Sequence, residues 1–341
     1  MTDNTWPTVD TELIDDVTLY SAKLIIPVTG PVIIDGAVAI HGDRVVHVGK
    51  RRWVLKALKQ EMTAHGAIHE RHWDGVLTPG LINAHTHLQY SGMVQVGQGT
   101  YDRFRAWELA FNEVYAEAQK TQPWKQWAED GARQMVESGT TAAADIVTDL
   151  DAAGALASQG MHGIAYWEVM GWHNAEWMEK GRTELIRQLR RMNEEQLPNL
   201  GISPHAPYTL ESEPFVDLPD IARQLNMRLH IHLAETPLEA GTYPPVLTTY
   251  SAADWSDHDW ESYRQLKEVG KGASAIQFVD QLGSLGPDVH IAHGVWANGE
   301  DRRILRQRGV GVALCPRSNR ITNTGKDAPV REYLEEGNLV S

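Results

Sequence analysis

Residues 81–90 read LINAHTHLQY. A Pro-Gly pair, Pro79-Gly80, leads into a short apolar run, and the run ends in two histidines one residue apart, His85 and His87. Side chains alternate faces along a β-strand, so residues i and i+2 share a face, and both imidazoles point inward if this run is a barrel strand. Two imidazoles at the C-terminal end of such a strand can share one divalent ion. Taken alone, such a pair more often sits on a surface or hydrogen-bonds locally than binds a metal. The rest of the chain has to decide.

Beyond Pro79-Gly80, short apolar runs alternate with amphipathic segments of helical length, the pattern of repeated βα units around a parallel sheet. The strand candidates are GLINA (80–84), TTAAADIV (140–147), HGIAYWEV (162–169), NLGISP (199–204), MRLHIH (227–232), DVHIAH (288–293) and GVGVALC (309–315). Helical sequence is expected over 103–118, 124–137, 174–195, 213–225, 260–282, 301–307 and 328–336. Glycine at 337 is a helix C-cap signal, and NLVS, residues 338–341, reads as the opening of an eighth strand. The expected fold class is therefore α/β, a (β/α)8 TIM-type barrel over residues 79–341 that lacks most of its last strand. Residues 1–78 form the other expected domain. From Val17 to Val76, short β-rich runs broken by turns predict a small antiparallel β unit.

The bulk composition narrows the function. With 42% hydrophobic residues among 341, the chain can bury a large core. Thirty-one Lys and Arg against 45 Asp and Glu give a net charge of −14, which disfavours nucleic acid or an anionic membrane surface as partner and leaves a small molecule. The single cysteine, Cys315, excludes an intrachain disulfide and a CxxC zinc knuckle, so a metal site must be built from histidine and carboxylate. The polar, acidic start MTDNTWPTVDTELIDD and the lack of a long apolar stretch predict a cytoplasmic protein.

Further histidines fall at strand ends. His230 and His232 repeat the HxH pattern and Glu235 follows them; His232 lies nearer the C-terminal end, where barrels place their chemistry, and His230 sits one pleat deeper as a hydrogen-bonded support. His290 and His293 lie on opposite faces of another strand, and His293 is the one at its end. His205 ends a fourth strand between prolines that keep the loop extended, a position suited to substrate contact. His41, His47, His65, His69 and His72 crowd the N-terminal unit without such order and are assigned no function.

In TPGLINAHTHL, SPHAPYT, HIHLAET, IAHGV and CPRSN, taken in this order, the chain resembles the amidohydrolase superfamily and its single-metal deaminase and chlorohydrolase branch over essentially its whole length. The resemblance implies one divalent metal, Zn2+ before Fe2+, held by His85, His87 and His232, with Glu235 and His293 as the catalytic pair around a metal-activated water. It also implies that the N-terminal unit is part of a small β-sandwich. The two-metal relatives carry a bridging lysine on the fourth strand, and NLGISPHAP has none. The segment following the first strand, HTHLQYSGMVQVGQGTYDRFRAWELAFNEVY, is similar to bacterial aminodeoxyfutalosine deaminases of menaquinone biosynthesis, which implies hydrolytic removal of ammonia from the adenine ring of a 5′-modified nucleoside.

On that reading Gln89, Tyr90 and Trp107 lie near the site, His205 contacts the nucleoside, and Ser318, Asn319 and Arg320 are polar loop residues facing substrate, with Asn319 the chosen contact. Other deaminations or dechlorinations of the branch, on adenosine derivatives, guanine or triazines, use the same ligands. A homo-oligomer stays open. The branch pattern also has an aspartate at the end of the eighth strand, which this sequence does not reach, so the competing class is an inactive metal-binding barrel. Asp145, near the end of the second strand, is expected to be structural rather than a replacement, and Cys315 a small buried residue.

Overall fold

The computed structural model describes residues 14–194, 197, 199–241, 266 and 269–341. The chain divides into two compact units, Met1–Gly80 and Leu81–Ser341. In the first, β1 (Val17–Ile25) pairs antiparallel with β2 (Ile33–His41), and β2 with β3 (Arg44–Lys50). Gly42, at φ +58°, supplies the left-handed residue that the two-residue β2–β3 loop needs. The fourth strand, β4 (Ile68–Leu77), corrects the expectation of a purely antiparallel unit, because it pairs parallel with β1. A parallel pair needs a crossover, and helix α1 (Arg51–Glu61) lies within it. Val54 and Leu58, one turn apart, bury against Val17, Leu19, Ala37 and Ala39. Among the described residues the layer facing this four-stranded sheet is therefore that helix, not the second sheet of a sandwich.

In the second unit eight strands lie side by side in chain order, each parallel to the last: β5 (Leu81–Thr86), β6 (Thr140–Val147), β7 (His162–Val169), β8 (Leu200–Pro204), β9 (Arg228–Leu233), β10 (Val289–His293), β11 (Gly311–Ala313) and β12 (Leu339–Val340). This is the sheet of the expected (β/α) barrel. Its eighth strand consists of two residues, paired with Gly311 and Val312. The helices that describe the repeat include α2 (Phe104–Ala118), α3 (Trp124–Glu137), α4 (Arg182–Glu194), α5 (Ser212–Gln224), α6 (Ala275–Gln281), α7 (Gly299–Arg308), α8 (Pro316–Thr322) and α9 (Val330–Glu335). Of the helix expected over 174–195, a π-helical turn, Trp177–Gly181, interrupts the start, and Glu195 lies outside the described residues. Residues 260–265, 267 and 268 of the helix expected over 260–282 lie outside them as well.

Local chemistry sets the helix ends. Asn298 caps α7 by accepting the N–H groups of Glu300 and Asp301, Asp301 reciprocates at the Asn298 N–H, and Gly309 closes the helix at φ +70°. Between helices and sheet, Ile146, Ile202, Leu229, Ile231, Ile291 and Val312 are fully buried, each contributing about 1.5–3 kcal/mol. No helix among the described residues is long and apolar enough to cross a membrane.

Candidate active site

The HxH pattern delivers what its period requires. His85 lies on β5 and His87 just past it, while β9 presents His230 and His232 across the sheet. His85 Nδ1 is 2.9 Å from His230 Nε2, and His87 Nε2 is 3.2 Å from His232 Nε2. His85, His87 and His232 each bring a ring nitrogen within 4.8 Å of the others. Burial pushes His85 and His232 well below the ordinary histidine range and His87 down to about 4, and the neighbouring imidazoles push in the same direction. All three are neutral at pH 7, with lone pairs available, as a metal requires. His87 Nδ1 is buried without a hydrogen-bond partner, so no protein group occupies that nitrogen. An imidazole-only donor set of this spacing fits one zinc or iron ion.

Glu235 and His293 stand on the same rim. Beyond β9 the chain turns through Ala234 at φ +55°, and the buried Glu239 carboxylate holds that turn by accepting the N–H groups of Ala234, Glu235 and Thr236, each at 2.8 Å. Glu235 Oε2 accepts the Tyr208 hydroxyl at 2.9 Å, and Oε1 lies 3.4 Å from His293 Nε2. His293 ends β10 at φ +77°, a conformation costly for a residue with a Cβ and followed by Gly294, also left-handed. Its Nδ1 is 2.8 Å from Asn319 Oδ1, while Asn319 Nδ2 donates to the Leu314 carbonyl at 2.8 Å. The amide orientation of Asn319 is thereby fixed, so Nδ1 of His293 carries a proton and Nε2 faces Glu235 with its lone pair or a second proton.

A cavity of about 1290 Å3 opens over these groups, with His85, His87, His205, His232, Glu235 and His293 in its wall. His205 follows β8; its Nδ1 is 2.7 Å from Thr209 Oγ1, and burial followed by the charges of His87 and His293 pushes it down to about 3. Trp107, between Phe104 and Phe111 at ring separations of 5.3 and 5.5 Å, forms an aromatic wall with Tyr90, which stacks on His87 at 5.7 Å. Ser318 lines the cavity as well.

Two expected substrate contacts point elsewhere. Gln89 is fully buried, donating from Nε2 to Thr148 Oγ1 at 2.5 Å and accepting the Thr148 N–H at 2.9 Å, so it ties the loop after β5 to the loop after β6. Asn319 is buried behind His293, and both ends of its amide are engaged. Asp145 accepts the Leu88 N–H at 2.9 Å, and its carboxyl is raised to about 8 by burial, in keeping with a structural part. Cys315 lies at φ +51° in the cavity wall, its thiol pushed up to about 12 by burial.

Sequence reading overlooked Tyr208 and Glu168. Tyr208 lies in the quoted SPHAPYT stretch, and only the fold turns its hydroxyl to Glu235. Glu168 sits on β7 within the otherwise apolar run AYWEV, with no spacing partner to mark it. It lines the cavity, burial raises its carboxyl to about 8, and with His205 and His232 it makes a second group whose ligand atoms lie within 4.8 Å.

Residues 76–243 match the amidohydrolase family. That match takes in the stretch from β5 to β9, which holds both HxH pairs. A 5-methylthioadenosine/S-adenosylhomocysteine deaminase of Moorella thermoacetica is 29% identical over 92% of this chain and 66% of its own length. A 5′-deoxyadenosine deaminase of Methanopyrus kandleri is 30% identical over 77% of the chain and 55% of its own. The chain thus spans roughly half to two thirds of these curated relatives. Among solved structures, an aminofutalosine deaminase of Helicobacter pylori superposes with a TM-score of 0.74 at 18% identity, covering 95% of this chain and 76% of that one. An adenosine deaminase of Xanthomonas campestris with bound zinc gives 0.70 at 21%, covering 97% and 69%. Both share the fold of this chain.

Proposed function

We propose that this chain serves the hydrolytic deamination of an adenine-type nucleoside, with aminodeoxyfutalosine, and hence menaquinone biosynthesis, as the preferred assignment. The observation that carries the reading is the three-histidine cluster lying on the same rim as the Glu235–His293 pair. The deaminase relatives support an adenine nucleoside as substrate. The narrower assignment rests on the segment from His85 to Tyr115, which contributes Tyr90, Trp107 and Phe111 to the cavity wall. A purine or an aromatic 5′ substituent can stack there.

His85, His87 and His232 would hold one divalent ion. When bound, the ion supplies Lewis acidity that makes water a competent nucleophile near neutral pH. Glu235 Oε1 accepts the proton of the attacking water and passes it to the ring nitrogen beside the amine-bearing carbon; the Tyr208 hydroxyl keeps the other carboxylate oxygen engaged meanwhile. His293, held at Nδ1 by Asn319, turns Nε2 to the incoming oxygen, polarising it and stabilising the tetrahedral intermediate. The remaining hydroxyl proton passes by way of Glu235 to the amine, which leaves as ammonia as the carbonyl forms, and His205 steadies the nucleoside from the neighbouring strand end.

Ammonia release is measured from aminodeoxyfutalosine, 5′-methylthioadenosine and adenosine with the zinc-loaded chain. Fastest release from aminodeoxyfutalosine is expected. Preference for methylthioadenosine corrects the substrate, and release from none of the three overturns the proposal.

A further inference from the structure

The Glu168 carboxylate is buried on β7, and its Oε1 has no hydrogen-bond partner although a buried carboxylate oxygen costs free energy when left unpaired. Glu168 lines the cavity, but its Oε1 atom is buried, and the nearest candidate donor lies in the protein. His232 Nδ1 lies 3.8 Å away. The other nitrogen of the same ring, Nε2, faces His87 Nε2 in the histidine cluster. A neutral imidazole that gives the Nε2 lone pair to a metal must carry its proton on Nδ1. Metal binding therefore creates, on the Glu168 side of the ring, the donor that Oε1 lacks. The alternative acceptor, the His205 carbonyl, is 3.3 Å from Nδ1 and already takes the His232 backbone N–H at 2.8 Å.

We infer that Glu168 is a positioning residue for the metal site: it accepts the Nδ1 proton of His232, fixing that ring's tautomer and orientation and raising its basicity as a ligand. The inference rests on the three-histidine reading above. Carboxylates in this position behind a ligating imidazole change metal affinity by about 10- to 100-fold. The register places Ser203, also buried, beside Glu168 on β8, which provides a packing control in the same layer.

The test is the zinc dissociation constant of the full 341-residue chain, measured by competition with a chromophoric chelator, for the wild type, Glu168→Ala, Glu168→Gln and Ser203→Ala. Glu168→Ala is expected to weaken zinc by about 10- to 100-fold. Glu168→Gln should fall between, because its amide oxygen still accepts a hydrogen bond without the charge, and it decides the matter if the alanine variant does not fold. Ser203→Ala should stay within about twofold of wild type, as a change in packing alone leaves the ligand untouched. Nitrogen-15 NMR of the zinc-loaded wild type should show His232 protonated at Nδ1. Zinc affinity in the folded glutamine and alanine variants equal to wild type overturns the inference alone. A wild-type chain that binds no zinc overturns it together with the three-histidine reading.

Discussion

His47, in the N-terminal unit, is partly exposed and rests its Nε2 2.7 Å from the Glu61 carboxylate; His87, in the barrel, is buried with its Nε2 3.2 Å from another imidazole. The same contrast holds for their neighbours. His41 bonds the Asp16 carbonyl and His72 the Ser21 hydroxyl, each at 3.0 Å, ordinary partners for a solvated ring. His85, His205, His230 and His232 sit instead within about 5 Å of other imidazoles, centroid to centroid, and every one is pushed down by burial. What distinguishes a candidate site is mutual burial of like groups without a carboxylate to neutralise each one. That arrangement costs stability without an ion, and chemistry is the reason for a fold to keep it.

The contrast breaks most visibly at Glu235. If the barrel rim is catalytic, Glu235→Gln in the zinc-loaded chain should cut ammonia release about 10²- to 10⁴-fold while zinc content stays the same. Full activity in that variant would remove Glu235 from the proton path.

Acid should expose the buried barrel histidines next. His87 and His205 have folded pKa values of about 4 and 3, against about 6.5 in the unfolded chain. Between pH 6.5 and 4 the unfolded chain binds more protons, so the metal-free fold keeps its full stability above about 6.5 and loses it as pH falls, by about 1.4 kcal/mol per pH unit for each group. Chemical denaturation at pH 7 and pH 5 should show the drop. Replacing His205 with Asn should flatten the slope.

The reassignment of Gln89 sharpens the comparison within the barrel. Gln89→Leu leaves the part-buried Thr148 N–H without its acceptor and should destabilise the fold by about 1–3 kcal/mol with KM unchanged, whereas Trp107→Ala should raise KM. A KM shift in the Gln89 variant with unaltered denaturation would return that side chain to the substrate. The smallest effect belongs to the N-terminal unit: His47→Ala should alter stability by no more than about 0.5 kcal/mol and leave turnover alone, as thermal denaturation and the ammonia assay can verify.

The barrel and the histidine cluster were legible because both depend on periodicity. Strand boundaries at 140–147 and 162–169 coincide with β6 and β7, and the i, i+2 rule places both members of an HxH pair on one face. Direction was harder to read wherever no period governs it. Gln89 and Asn319 lie beside the site in sequence, but an amide turns towards whichever groups can satisfy both of its ends, and those partners, Thr148 for one and His293 with the Leu314 carbonyl for the other, are known only from the fold. Glu168 escaped notice because a single carboxylate in an apolar strand has no spacing that marks it. Helix α1 was missed for another reason: Val54 and Leu58 carry its apolar face among charged residues, a weak signal between strands that read strongly.

The central claim is that His85, His87 and His232 form one metal centre, and metal content per chain tests it most directly. Chains stripped by chelation, reloaded with zinc and desalted should retain about one ion per chain in the wild type and close to none in His87→Ala or His232→Ala, with His47→Ala unchanged. Zinc absent from the wild type, or retained at the same level after loss of either ligand, would contradict the account.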